Sequence, residues 1–114
     1  MIKIKVQLFG GRGVGSGIYT KYSYKTLPKD PDDLTRNGWK EITDQRMPRH
    51  IRKFKNPKTG NDLEYHKGLP GQNGYRGRDH YHWKNPNSKN DKDFYLDKNG
   101  NPVPKNHKDS HLLP

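Results

Sequence analysis

Apolar and polar residues alternate along several short stretches of this chain. In residues 2–9, Ile2, Ile4, Val6 and Leu8 fall on one side and Lys3, Lys5 and Gln7 on the other, the two-residue period of a strand. Asp30-Pro31-Asp32-Asp33-Leu34-Thr35-Arg36-Asn37-Gly38 carries helix punctuation instead. Asp30 suits the N-cap and Pro31 the first helical position. Asp32 and Asp33 oppose the dipole and Gly38 fits C′, which predicts a helix of about two turns. Capping explains the three aspartates without a cation. Residues 39–43 begin a β region. Residues 50–55 and 62–67 read as strands joined by the turn Asn56-Pro57-Lys58-Thr59-Gly60-Asn61. In the second of these strands Glu64 and His66 share one face, and Leu63 and Tyr65 share the other. Residues 68–74 form a loop, and Asn85-Pro86-Asn87-Ser88 ends the strand that follows it. Residues 93–97 are a further strand, before a turn at Lys98-Asn99-Gly100-Asn101. Leu63, Tyr65, Phe94 and Leu96 are the expected core. The sum is an α+β fold: a short capped helix, then a small twisted antiparallel sheet of about four strands, with one face on a small core and one face wet.

Composition narrows this picture. Leu, Ile, Val and Phe make up 19 of 114 residues, a share so low that a minimal core and at least one loose end are expected. Seven Tyr, two Trp and three Phe supply the large buriable surfaces that argue against full disorder. There is no alanine, which disfavours a helical bundle, and no cysteine, which excludes a disulfide framework and thiolate chemistry. Gly10-Gly11-Arg12-Gly13-Val14-Gly15-Ser16-Gly17 reads as a flexible linker, since no Lys-Ser/Thr pair follows to make a phosphate loop. Residues 1–29 are therefore expected to be a leader or linker, and residues 30–114 a single module.

A net charge of +11 calls for an anionic partner, either nucleic acid or an acidic neutralising protein. No basic amphipathic helix marks a membrane surface, and the opening residues are too short and mixed for a secretory core or a membrane span. The expectation is a monomer acting in the cytoplasm of a target or host cell, delivered by a carrier or a phage particle.

The densest chemistry lies in Arg76-Gly77-Arg78-Asp79-His80-Tyr81-His82-Trp83-Lys84-Asn85-Pro86. On a strand, His80 and His82 point the same way, roughly 7 Å apart. Two imidazoles beside fixed positive charge suit metal-free cleavage of RNA, one as general base and one as general acid. Glu64, His66 or His111 completes such a site. Arg76, Arg78 and Lys84 hold the phosphate, with Asn85 beside them, and Tyr81, Tyr75 or Trp83 stacks a base. The alternative is a three-ligand divalent-metal centre, zinc for example, formed by His80 and His82 with His66, His111 or Asp79 as the third ligand and an open position for water, acting on DNA or RNA. A third reading is a non-enzymatic basic module that binds nucleic acid or protein. His50 and His107 read as solvated surface groups.

Three stretches carry a family likeness: DPDDL…GWKEIT at 30–43, KTGNDLEYHKGLPGQNGYRGRDHYHWKNPNS at 58–88, and FYLDKNGNPVPKN…SH at 94–111. Together they resemble the C-terminal toxin modules of bacterial polymorphic toxins. A helix followed by an antiparallel sheet is also similar to the layout of barnase- and colicin-type ribonucleases. VQLFGGRGVGSGI is similar to linkers of phage head-associated proteins. The resemblance implies a nuclease toxin and an immunity partner.

Overall fold

The computed structural model describes residues 21–114. The strand and glycine linker expected within residues 2–17 lie outside them. Helix α1 (Asp32–Arg36) is followed by β1 (Lys40–Glu41), β2 (Ile51–Lys55), β3 (Asp62–His66), β4 (His80–Lys84), β5 (Tyr95–Leu96) and β6 (Pro102–Val103). These form one antiparallel sheet in the order β1-β2-β3-β4-β5-β6. The α+β class and the antiparallel sheet match expectation. The sheet has six strands among the described residues, not about four. The edge strands β1 and β6 have two residues each, too short to show a period; β1 falls in the β region expected at residues 39–43, and β6 lies beyond the expected strands. No helix among the described residues is long and apolar enough to cross a membrane.

Helix α1 is shorter than the expected two turns. Pro31 has helical dihedrals, and the Asp30 carboxylate accepts from the Asp32 N–H at 2.9 Å. Gly38, at φ 96°, ends the helix, and the Trp39 N–H returns to the Leu34 carbonyl at 3.0 Å. Arg52 ties this corner together, donating to Asp32 at 2.7 Å and to Glu41 at 2.9 Å. The hairpin between β2 and β3 forms where its turn residues predict. The Asn56 side chain accepts from the N–H groups of Lys58 and Thr59, and Gly60 takes φ 79°.

The register decides which residues meet. Leu63 pairs with Trp83 and Tyr65 with Tyr81, while Glu64 pairs with His82 and His66 with His80. The first set faces the core, with Phe54, Leu34, Trp39, Leu96 and Leu112. The second set faces away from it. Phe94, expected in the core, is only half-buried. Its backbone is helical (φ −71°, ψ −38°), so it stands outside the strand alternation that buries Leu96.

One expectation about the ends is corrected by packing. The described part of the leader, residues 21–29, belongs to the folded unit: Tyr22 and Leu27 are in the core, and the Pro28 carbonyl accepts from the Tyr81 hydroxyl at 2.6 Å. The tail is also tied down. Tyr81 and Leu112 exchange two backbone hydrogen bonds of 2.8 Å, and Leu112 is buried, worth roughly 1.5–3 kcal/mol.

Candidate functional site

Strands β3 and β4 bring three histidines to one place on the face away from the core. The His66 and His80 rings stack with centroids 5.0 Å apart, His66 and His82 are 4.7 Å apart, and His80 and His82 are 5.1 Å apart. The docked tail adds His111, at 4.8 Å from both His80 and His82. Tyr75 stacks on His111 at 4.2 Å, and Tyr95 stacks on His82 at 4.7 Å. The cluster sits in an open cleft of about 830 Å³ that also takes in Lys67, Arg76 and Lys105.

Hydrogen bonds assign most of the ring protons. His80 Nδ1 is 2.9 Å from the Arg78 carbonyl and His111 Nδ1 is 2.7 Å from the Lys108 carbonyl. A carbonyl only accepts, so each neutral ring is protonated on Nδ1 and keeps its lone pair on Nε2. His66 Nε2 is 2.8 Å from Glu64 Oε1, which leaves the lone pair on Nδ1. His82 Nδ1 is buried without a partner among the described residues. Leaving such a group unpaired costs about 1–3 kcal/mol.

Burial sets the charge state. It is the largest influence on His80 and His82, and the neighbouring histidines add to it, pushing His80 down to about 4 and His82 to about 3. Both rings are neutral at pH 7. Burial raises the Glu64 carboxyl, but the hydrogen bond and charge of His66, with Lys53 and His82, outweigh it and hold the group below the usual range. Tyr95 is pushed up, first by burial and then by the Glu64 charge.

One nitrogen from each of His66, His80 and His82 lies within 4.8 Å of the others. Small side-chain rotations bring such a trio to the roughly 3.4 Å spacing of imidazoles around a tetrahedral cation. Ligating histidines donate their second N–H to a carbonyl or carboxylate, as His80 and His66 do here. No known family, curated protein or solved structure matches this chain. The chemistry therefore rests on these side chains alone.

The sequence-predicted residues divide. His66, His80, His82, His111 and Glu64 come together. Arg76 lines the cleft, Arg78 supplies the carbonyl that orients His80, and Lys84 is exposed on the neighbouring groove. Asp79 accepts from the Gly68 N–H at 2.8 Å and holds the loop. Three binding roles are corrected. Tyr81 is fully buried, and Trp83 packs edge-on against Trp39 and Tyr24, because odd positions of β4 face the core. Neither can stack a base. The Asn85 amide donates to the Asp93 carbonyl and accepts from the Asn87 N–H, so it shapes the turn. His107 accepts from the Asp109 N–H, whereas His50 lines the cleft, 6.1 Å from His66. Tyr95 was not singled out on the sequence. Its place beside His82 depends on pairing across the long 85–94 connection, which carries no local signal.

Proposed function

We propose that this chain is a nuclease of the toxin-module type whose site is a divalent-metal centre ligated by His66, His80 and His82. The observation that carries the reading is the convergence of three imidazole nitrogens within 4.8 Å of one another, two of them backed by outward hydrogen bonds. His66, His80 and His82 would hold the cation, which would supply Lewis acidity to polarise a phosphate oxygen and acidify water. Glu64 orients His66, and the Arg78 carbonyl orients His80. His111, 4.8 Å from both His80 and His82, serves as proton donor to the departing oxygen. Arg76 and Lys67 neutralise the phosphate oxygens. Glu64 is the one carboxylate among the described residues lining the cleft, so the field there favours an anion.

Metal-free catalysis by His80 and His82 alone is the weaker reading, because two neutral rings offer a base but no acid at pH 7. One observation keeps a metal-free version in view: the Glu64–His66 pair makes a carboxylate-backed base, for which His111 would be the acid. The decisive experiment incubates the purified chain with total RNA and with plasmid DNA, with EDTA and with added Zn²⁺ or Mn²⁺. RNA cleavage lost in EDTA and restored by one metal supports the proposal. Cleavage that persists in EDTA with 2′,3′-cyclic ends supports the metal-free version. Salt-sensitive binding without cleavage leaves a basic binding module. An acidic immunity protein is the expected inhibitor.

A further inference from the structure

Phe94 lies beside the histidine cleft, on the face the core does not use. Its ring meets Tyr95 edge-on at 4.9 Å, and Tyr95 stacks on His82 at 4.7 Å, so Phe94 is two ring contacts from the candidate metal centre. Two ammonium groups are held over it. Lys84 Nζ is 5.3 Å and Lys105 Nζ 5.0 Å from the ring centroid, one from the end of β4 and one from the segment after β6. Neither lysine makes an ion pair among the described residues. By contrast, Lys53 and Lys55 on the same groove are matched by Glu64 at 3.8 Å and Asp62 at 3.3 Å. The groove is a pocket of about 200 Å³ walled by Ile42, Phe94 and Tyr95 and joined to the histidine cleft through Glu64 and His82. Ile42 is itself 39% exposed.

An aromatic face flanked by two unneutralised cations, next to a phosphate-cleaving site, has the chemistry of a nucleotide subsite. The ammonium groups swing off the ring onto the phosphate that links the base to the reacting one, and the base takes their place on the ring face. We propose that Phe94, Lys84 and Lys105 bind the nucleotide adjoining the cleaved bond of single-stranded RNA. The proposal rests on the nucleic-acid reading of the histidine site. It assigns base recognition to Phe94 instead of the aromatic residues of β4, which the core consumes.

The test is fluorescence anisotropy of a labelled, uncleavable 2′-O-methyl RNA on the full chain in EDTA, so that binding is read without turnover. Phe94→Leu keeps an apolar side chain in the half-buried position and should weaken binding about tenfold or more, whereas Phe94→Trp should retain it. The double variant Lys84→Gln, Lys105→Gln should lower the slope of log affinity against log salt by about 1.4. An oligomer with an abasic position should bind wild type more weakly and be indifferent to Phe94→Leu. Equal RNA affinity in wild type and Phe94→Leu, equal binding of abasic and intact oligomers, or heparin competing as well as RNA would each overturn the subsite. Should Phe94→Leu fail to fold, the abasic and lysine arms decide. A wild type that cleaves RNA while Phe94→Leu binds normally removes the subsite alone. A wild type that neither binds nor cleaves RNA removes the nuclease reading with it.

Discussion

Glu64 Oε1 lies 2.8 Å from His66 Nε2, two residues along the same face of β3. The contact fixes the His66 tautomer, with the lone pair on Nδ1. Glu64→Gln keeps the size and removes the charge. It is expected to weaken zinc binding about 10–100-fold, as read by competition with a chromophoric chelator. Unchanged affinity would detach Glu64 from the site.

His66, His80 and His82 are expected to act as one unit. Each alanine substitution should abolish stoichiometric metal uptake and lower RNA cleavage by at least about 10²-fold. Metal analysis after gel filtration and a single-turnover cleavage assay check this. Near-full rates in the His80 and His82 variants would refute the site. His111→Ala, if His111 is a proton donor, should lower the rate while leaving the metal content unchanged.

The metal-free protein is expected to lose stability in acid. In the folded state His80 and His82 titrate at about 4 and about 3, below the ordinary histidine value of about 6.5. The unfolded chain therefore binds more protons between these values, and stability rises with pH across that window. It should be fully present above about pH 6.5 and fall progressively toward pH 4 and below. Thermal melts in EDTA across pH 3–8 check this, and His82→Leu should flatten the profile. A profile in His82→Leu as steep as in wild type would place the sensitivity elsewhere.

Tyr81→Phe should destabilise the fold by about 1–3 kcal/mol, because it leaves the Pro28 carbonyl without its donor. RNA affinity should not change, since the ring is buried against Tyr65. Urea unfolding and anisotropy separate the two effects. Lost RNA affinity at full stability would restore Tyr81 to the binding surface.

Gly77→Ala probes the loop that carries Tyr75 and Arg76. A Cβ at position 77 would stand 2.1 Å from the Gln72 carbonyl oxygen, so the backbone must move. A loss of about 1–3 kcal/mol is expected, with cleavage reduced as Tyr75 leaves His111. Wild-type melting would show the loop to be more adaptable than its packing implies.

Local physics made much of this protein legible from residue order. Alternation put Glu64 and His66 on one face of β3, and His80 and His82 on one face of β4, because successive strand side chains point oppositely. Asn56 to Asn61 announced a hairpin, and Gly38 announced a helix end, because few residues tolerate those backbone angles. What sequence could not supply was which faces meet. The antiparallel register set His66 opposite His80, and the same register sent Tyr81 and Trp83 into the core. The backbone pairing of Tyr81 with Leu112 carried His111 across from the tail, and the helical dihedrals at Phe94 kept that ring out of the core. Each of these depends on contacts between residues far apart in the chain, whose cost in loop entropy is offset only once the whole sheet has closed. For that reason the histidines of the cluster could be named from sequence, but their distances and burial could not.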